Sequence, residues 1–246
     1  MDASLRPGRL LARPALAVAA DVPSAKEAEA LARALKGLPV WLKVGLELYT
    51  AEGPALLRLL GAGGNPLFLD LKFHDIPNTV RGAVRSACGL GVSMLTVHLT
   101  GGEAMCKAAL EGRKDALASG ALASGALPPL VVGVTVLTSD GGNEADLAAA
   151  VLSRARLAQA YGLDGVVCSG REVSAVKAAC GPDFVCVCPG IRFAGAGADD
   201  QARVSTPDET VRAGADLLVM GRPIIRAENP RQACEQALAL MGGNKN

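Results

Sequence analysis

Short apolar runs recur along the whole chain, and each is followed by a longer segment whose hydrophobic positions have helical spacing. The runs are rich in aliphatic and β-branched side chains, as buried strands are. They are ALAVAA (15–20), VWLKVG (40–45), LFLDLK (67–72), VSMLTVH (92–98), LVVGVTVL (130–137), GVVCS (165–169), FVCVCPG (184–190) and DLLVMG (216–221). This alternation is typical of repeated βα units.

Helix-start signals lie between the runs, such as Ser24 before AKEAEALARALKG and Pro77 before NTVRGAVRSACG. A doubly wound open sheet also alternates, but it usually has about five or six strands and a Gly-rich fingerprint after the first one. Here Ala19-Ala20-Asp21 follows the first run, and the chain has no G-x-G-x-x-G motif. The pattern predicts a single-domain (β/α)8 TIM barrel over residues 1–246, with its active site at the C-terminal ends of the strands.

Composition narrows the classes of function. The 246 residues carry 25 Lys and Arg against 24 Asp and Glu, so a formal net charge of +1 offers no basic field for nucleic acid. Aromatic residues make up 3%, which disfavours a stacking platform for single strands and predicts a core of Ala, Val and Leu. No apolar run approaches the roughly 18 residues of a membrane helix. We expect a soluble protein with no nucleic-acid or membrane partner.

The cysteines and the N-terminus indicate a reducing compartment. Seven cysteines, an odd number without a C-x-x-C pair, fit neither a disulfide framework nor a zinc site. Reduced, buried thiols are expected. The segment LLARPALAVAADV superficially resembles a signal peptide, but Arg13 and Pro14 interrupt its apolar stretch. A cytoplasmic location is therefore expected.

Charged residues lie at the C-terminal ends of the second and third predicted strands. Asp70 and Lys72 are two residues apart, so their side chains share one face of the strand. Lys43 lies on the neighbouring strand and can approach them if that face is the barrel mouth. Buried charges are costly unless they neutralise one another. We therefore favour a functional charge array over an ordinary salt-bridged strand end.

Other polar residues follow the first, third, fourth and fifth strands: Asp21, Asp75, His98, Thr138 and Ser139.

The last two strand ends predict a phosphate site. Loops after strands seven and eight of such barrels are a frequent place for phosphate, where backbone N–H groups converge. Gly221 lets the backbone approach an anion closely, Arg222 supplies charge, and Arg192 lies on the preceding loop. His98 and His74 are not expected to ligate a metal, and Cys186 and Cys188 are expected to serve packing.

Together these residues resemble a known family. DLKFHDIPNTV (70–80) is similar to the D-x-K-x-x-D-I-P-x-T signature of the orotidine 5'-phosphate decarboxylases. Further segments resemble the bacterial branch of that family in the same order: VLTS (136–139), PGIRF (189–193), DDQARVSTP (199–207), GRPI (221–224) and AENP (227–230). The resemblance runs from about Ala17 to Pro230, and no motif position departs from it.

The resemblance implies decarboxylation of orotidine 5'-monophosphate to UMP and CO2 in pyrimidine biosynthesis, without metal or organic cofactor. It implies that Lys72 protonates C6 of the pyrimidine and that Asp70 lies against the substrate carboxylate. Lys43 and an Asp75 from a second subunit would complete the charge network, so a homodimer is implied.

The resemblance also implies which residues bind the substrate. Gln201, Gly221 and Arg222 would hold the phosphate, with Arg192 on the same side. Asp21 and Lys43 would contact ribose hydroxyls, joined by Asp75 and Thr79 from the partner subunit. Thr138 would lie near the base, and Asp70 is a further substrate-binding residue. The segment 193–201 combines small and polar residues and is expected to be a lid.

Two other readings stay open from the sequence. A related barrel lyase such as a 3-keto-gulonate-phosphate decarboxylase shares D-x-K-x-x-D but uses magnesium, so chelation would abolish its activity. A phosphate-binding barrel with a vestigial site would keep its biological role when Lys72 is replaced by Ala.

Overall fold

Eight parallel strands close into a barrel in sequence order, with β1 pairing to both β2 and β8. The computed structural model describes residues 14–122, 127–137, 143–195 and 204–242. The strands are β1 (Ala15–Ala19), β2 (Val40–Gly45), β3 (Leu67–Phe73), β4 (Met94–His98), β5 (Leu130–Val134), β6 (Gly165–Val167), β7 (Val185–Cys188) and β8 (Leu217–Met220). The predicted (β/α)8 barrel is confirmed, and each strand falls within its predicted run or within one residue of it. The domain bounds of 1–246 stay a prediction, because both termini lie outside the described residues.

Helices follow the strands and surround the barrel. They are α1 (Ala25–Ala34), α2 (Leu46–Glu52), α3 (Ala55–Gly61), α4 (Pro77–Cys88), α5 (Gly102–Ala118), α6 (Glu144–Tyr161), α7 (Val173–Cys180), α8 (Pro207–Arg212), α9 (Arg222–Ile225) and α10 (Pro230–Gly242). The predicted start signals are confirmed: Ser24 Oγ accepts from Glu27 N at 3.3 Å, and α4 begins at Pro77. No helix within the described ranges is long and apolar enough to cross a bilayer.

The interior of the barrel follows from the alternation of side chains along each strand. Trp41, Phe68 and Met94 lie inside and are buried. Two residues further along the same strands come Lys43, Asp70 and Thr96, at the C-terminal end. The expected core of Ala, Val and Leu is confirmed for most of the barrel interior, where the chain's one tryptophan, a phenylalanine and a methionine are the exceptions. A second, larger apolar cluster between barrel and helices is mainly aliphatic.

The N-terminal end of the barrel is held by two largely enclosed ion pairs. Asp164 directly precedes β6 and accepts from Arg113 Nη1 at 2.5 Å and from the N–H of Val131 at 2.7 Å. Asp216 stands in the same place before β8, where it accepts from Lys177 Nζ at 2.6 Å and from Cys186 N at 2.7 Å. Each aspartate thus ties its own strand to the preceding strand and to an outer helix.

All seven cysteines are buried, as predicted, and none is paired in a disulfide. Burial raises the pKa of Cys88, Cys106 and Cys234 to about 11. Thiols with so high a pKa are poor nucleophiles at neutral pH.

Candidate active site

Four charged side chains from three neighbouring strands meet at the C-terminal mouth of the barrel. The Lys72 ammonium lies 3.1 Å from Asp70 Oδ2, and the Lys43 ammonium lies 3.7 Å from the same oxygen. Lys43 Nζ also lies 3.2 Å from Oδ1 of Asp21, which follows β1. Lys43 and Asp70 are mostly enclosed, with side chains 10% and 16% exposed. The structure therefore brings together the predicted lysine and aspartate array, with Asp21 as a further member.

The array depends on an irregularity in β3. Leu69 pairs with Leu95 and Phe73 with Val97, so three residues of β3 lie opposite the single residue Thr96 of β4. Lys72 takes a left-handed backbone conformation with φ 51°. Such a conformation costs a non-glycine residue about 1–2 kcal/mol and persists only where its surroundings hold it. Asp70 and Lys72 do face each other as predicted, but across a bulge instead of along a regular strand.

Two residues of this site were missed by the sequence reasoning. Thr96 is fully buried, donates to Asp70 Oδ1 at 3.0 Å and accepts from the Lys72 N–H at 2.8 Å. Gly45 is the last residue of β2. A Cβ at this position would lie 3.2 Å from Lys43 Nζ, so the lack of a side chain on Gly45 leaves room for the ammonium. Thr96 could have been found from the alternation of β4, because it follows the inward-facing Met94 by two residues and must therefore also face inward. A lone glycine at a strand end, such as Gly45, gives no comparable signal.

A cavity of about 200 Å³ opens beside the charge array. Its polar wall continues from Asp21, Lys43, Asp70 and Lys72 to the loops after β7 and β8. Those loops contribute Pro189, Gly190, Arg192, Gly221 and Arg222, and apolar side chains such as Val134 and Val167 form the rest. Arg192 is buried, with 5% of its surface exposed. The predicted phosphate residues Arg192, Gly221 and Arg222 thus share one cavity with the charge array, and α9 after Gly221 is a single helical turn.

Asp75 and Thr79 have a different environment. They lie in the loop after β3 and the first turn of α4, are exposed, and do not line the cavity of their own chain. Between them the apolar side chain of Ile76 is 67% exposed, and Leu46 after β2 is 57% exposed. The neighbouring strand ends thus carry an acidic residue and an apolar surface that one chain leaves open to solvent.

The remaining predicted site residues fall outside the described part of the chain or beside the site. Thr138 and Gln201, with most of the proposed lid, lie outside the described residues. His74 and His98 stack with ring centroids 5.5 Å apart at the ends of β3 and β4. Within the described ranges, no three His, Cys, Asp or Glu side chains cluster closely enough to hold a metal ion.

Comparison with known proteins places this geometry in a family. A family model described as "Orotidine 5'-phosphate decarboxylase / HUMPS family" matches residues 14–237. The chain is 50% identical to the orotidine 5'-phosphate decarboxylase of Nitratidesulfovibrio vulgaris (Miyazaki F), over 93% of this chain and 98% of that protein. It is 47% identical to the enzyme of that name from Nostoc sp. PCC 7120, over 88% and 92% of the two chains.

A similar solved structure carries the same name as these relatives. The crystal structure of orotidine 5'-phosphate decarboxylase from Lactobacillus acidophilus is 34% identical and superposes with a TM-score of 0.81, over 94% of this chain and all of that one. These relatives confirm the predicted enzyme class, a carboxy-lyase, and the predicted family. The chain belongs to the orotidine 5'-phosphate decarboxylase / HUMPS family.

Proposed function

We propose that this protein decarboxylates orotidine 5'-monophosphate to UMP and CO2 in pyrimidine biosynthesis, without a cofactor, in the cytoplasm. One observation carries the proposal: two ammonium groups converge on one carboxylate oxygen of Asp70, at 3.1 and 3.7 Å, inside a cavity that is also lined by Arg192 and Arg222. That arrangement suits a substrate with a carboxylate at one end and a phosphate at the other. The names of the curated relatives support the same reaction.

The proposed chemistry uses the charges of the array and one proton from Lys72. The bond between C6 and the carboxylate carbon breaks, CO2 leaves, and the electron pair stays on C6. The Lys72 ammonium then gives its proton to C6. A substrate carboxylate held about 4 Å from Asp70 would be repelled by roughly 4 kcal/mol at an effective dielectric near 20, while the developing carbanion is attracted to Lys72. Lys43 would help to orient the Asp70 carboxylate.

Binding of the phosphate and ribose would supply the energy that holds the base against the array. Arg192, Arg222 and the backbone at Gly221 would hold the phosphate, together with Gln201. Asp21 and Lys43 would contact ribose hydroxyls, and Thr138 would lie near the base.

A homodimer would complete the site. Asp75 and Thr79 are exposed beside the apolar side chain of Ile76, which supports their burial against a second copy of the chain. In that dimer each chain would contribute Asp75 to the charge network and Thr79 to the ribose contacts of its partner.

The donor set around Asp70 supports a reaction without metal over the magnesium-dependent alternative. Asp70 Oδ2 faces two ammonium groups, and Oδ1 accepts a hydrogen bond from Thr96. A divalent cation prefers carboxylate oxygens that are not already matched by cations. Among the described residues, Asp70 therefore offers such an ion little coordination.

The decisive test follows the ultraviolet absorbance of orotidine 5'-monophosphate with purified protein and EDTA present. Wild-type protein should consume the orotate chromophore, and Lys72→Ala should lower kcat by about 10³-fold or more, since proton transfer and charge stabilisation are both lost. Lys26→Ala, which changes an exposed lysine on α1, is the matched control and should keep wild-type kcat.

Loss of activity with EDTA would instead support the magnesium-dependent lyase. No absorbance change with wild-type protein under either condition would refute the decarboxylase assignment. Cells that carry only the Lys72→Ala protein and still grow without added pyrimidines would support the other alternative, a phosphate-binding barrel with a vestigial site.

A further inference from the structure

The geometry of the β3 bulge makes the position of Lys72 depend on a neighbouring strand. Three residues of β3 face one residue of β4, so the ordinary ladder between the two strands is interrupted there. The interruption leaves the Lys72 N–H without a regular backbone acceptor on β4. At this point the backbone of Lys72 turns into the left-handed region, at φ 51°.

The Thr96 hydroxyl fills the gap in the ladder. It accepts the Lys72 N–H at 2.8 Å and donates its own proton to Asp70 Oδ1 at 3.0 Å. Thr96 is fully buried, so no bulk water competes for these bonds. One oxygen atom thus touches both the backbone of the lysine and the side chain of the aspartate.

We infer that Thr96 is a positioning residue, whose hydroxyl aims the Lys72 ammonium and fixes the Asp70 carboxylate for proton transfer. This inference rests on the proposed function. By occupying Oδ1, the hydroxyl orients Asp70 so that Oδ2 faces both ammonium groups. By holding the Lys72 N–H, it keeps a strained conformation that directs the side chain into the cavity.

The inference separates chemistry from binding. Thr96 is not among the residues that line the cavity, and the two arginines that do line it belong to the loops after β7 and β8. Loss of the hydroxyl should therefore disturb the proton donor and leave nucleotide binding intact.

The test compares Thr96→Val, which replaces the hydroxyl by a methyl of similar size, with Thr96→Ser, which keeps it. Thr210→Val is the matched control, because Thr210 is also buried and its hydroxyl also donates one hydrogen bond, to Thr206 O at 2.7 Å, on α8. We would measure kcat and KM for orotidine 5'-monophosphate, the Kd of UMP by calorimetry, and the crystal structure of Thr96→Val.

In Thr96→Val we expect kcat to fall by about 10- to 100-fold, the range that follows from small misplacements of catalytic groups, with the Kd of UMP unchanged within about twofold. Thr96→Ser should recover most of kcat, and Thr210→Val should keep it. The crystal structure should show Lys72 out of its left-handed conformation or its ammonium displaced from Asp70.

A Thr96→Val protein with wild-type kcat, or an unchanged Lys72 and Asp70 in its crystal structure, would overturn the inference. So would a serine variant as slow as the valine variant. If Thr96→Val does not fold, Thr96→Ala takes its place, because it removes the hydroxyl and adds no atom. Absence of turnover by the wild type would refute the proposed function, and the crystal structure would still decide whether Thr96 positions Lys72.

Discussion

Replacing Arg113 by Met removes the cation from the buried ion pair in front of β6. In the native protein Arg113 and Asp164 have side chains only 12% and 10% exposed, and their closest atoms are 2.5 Å apart. Arg113 also donates to Pro129 O at 3.1 Å. The methionine fills much of the same volume but leaves the Asp164 carboxylate enclosed with one backbone N–H, that of Val131, as its remaining donor among the contacts described.

The expected loss of stability is large. Removing one partner of a buried pair costs about 3–5 kcal/mol, because the remaining charge is desolvated and unpaired. For a protein of this size that corresponds to a decrease in Tm of about 10 °C. The exposed pair between Arg212 and Asp208 is the matched control, with side chains 71% and 42% exposed. Arg212→Met should cost less than about 1 kcal/mol.

The pH dependence gives a second readout. Burial raises the pKa of Asp164 above its ordinary value, although Arg113 and the Val131 N–H act to lower it. A carboxyl whose folded pKa is raised destabilises the fold above that pKa, and the penalty disappears as the pH falls towards the ordinary value near 4. Without Arg113 the pKa rises further. The difference between Arg113→Met and wild type should therefore be larger at pH 7 than at pH 5.

The assay is thermal and urea unfolding of wild type, Arg113→Met, Arg212→Met and the double variant Arg113→Met/Asp164→Asn. The double variant should be more stable than Arg113→Met at pH 7, because the amide oxygen of Asn can still accept from Val131 N and carries no charge. The kcat of folded Arg113→Met should equal that of wild type, since this pair lies at the opposite end of the barrel from the cavity. Equal destabilisation by the buried and the exposed substitution, or a difference independent of pH, would refute the reasoning.

Two other predictions concern packing and thiol chemistry. Gly112→Ala on α5 should lower the free energy of unfolding by about 1–3 kcal/mol, because an added Cβ would clash with the Arg81 carbonyl of α4. Gly82→Ala on α4 is the control and should be neutral or stabilising, because no atom lies within 4 Å of an added Cβ there. Equal urea midpoints for the two variants would contradict this prediction. Iodoacetamide at neutral pH should leave the seven buried cysteines of the native protein largely unmodified, over a time in which all seven react in urea. Mass spectrometry would follow the labelling. Rapid labelling of the native protein would contradict the prediction, because it would show that the thiols are accessible.

The fold was predictable because its signals are local. A short apolar run predicts each strand, and a few neighbouring residues predict helix starts such as those at Ser24 and Pro77. The ion pair of Arg113 with Asp164 was not predictable, since its members are 51 residues apart and meet only when the barrel closes. The same limit applies to Thr96, whose two hydrogen bonds exist only because β3 bulges beside it.

The site was predictable in its composition and less so in its geometry. The alternation of side chains along a strand correctly predicted that Asp70 and Lys72 lie on one side of β3. A regular strand, however, would not require Lys72 to adopt φ 51°. That conformation depends on the hydroxyl of a residue 24 positions later, so no reading of the third strand alone could supply it.

The two ends of the barrel place charge differently, and the contrast supports the proposed chemistry. At the N-terminal end, Asp164 and Asp216 each have one cationic partner and one backbone N–H, in two separate ion pairs. At the C-terminal end, Lys43 lies between Asp21 and Asp70, Lys72 pairs with Asp70, and these four side chains line one cavity together with Arg192 and Arg222. Ion pairs that only stabilise the fold have no need to share a cavity, whereas a ligand bound in this one would meet both ammonium groups and both arginines. The arrangement at the mouth therefore fits a ligand that brings negative charge of its own, at the phosphate and at the carboxylate that is lost.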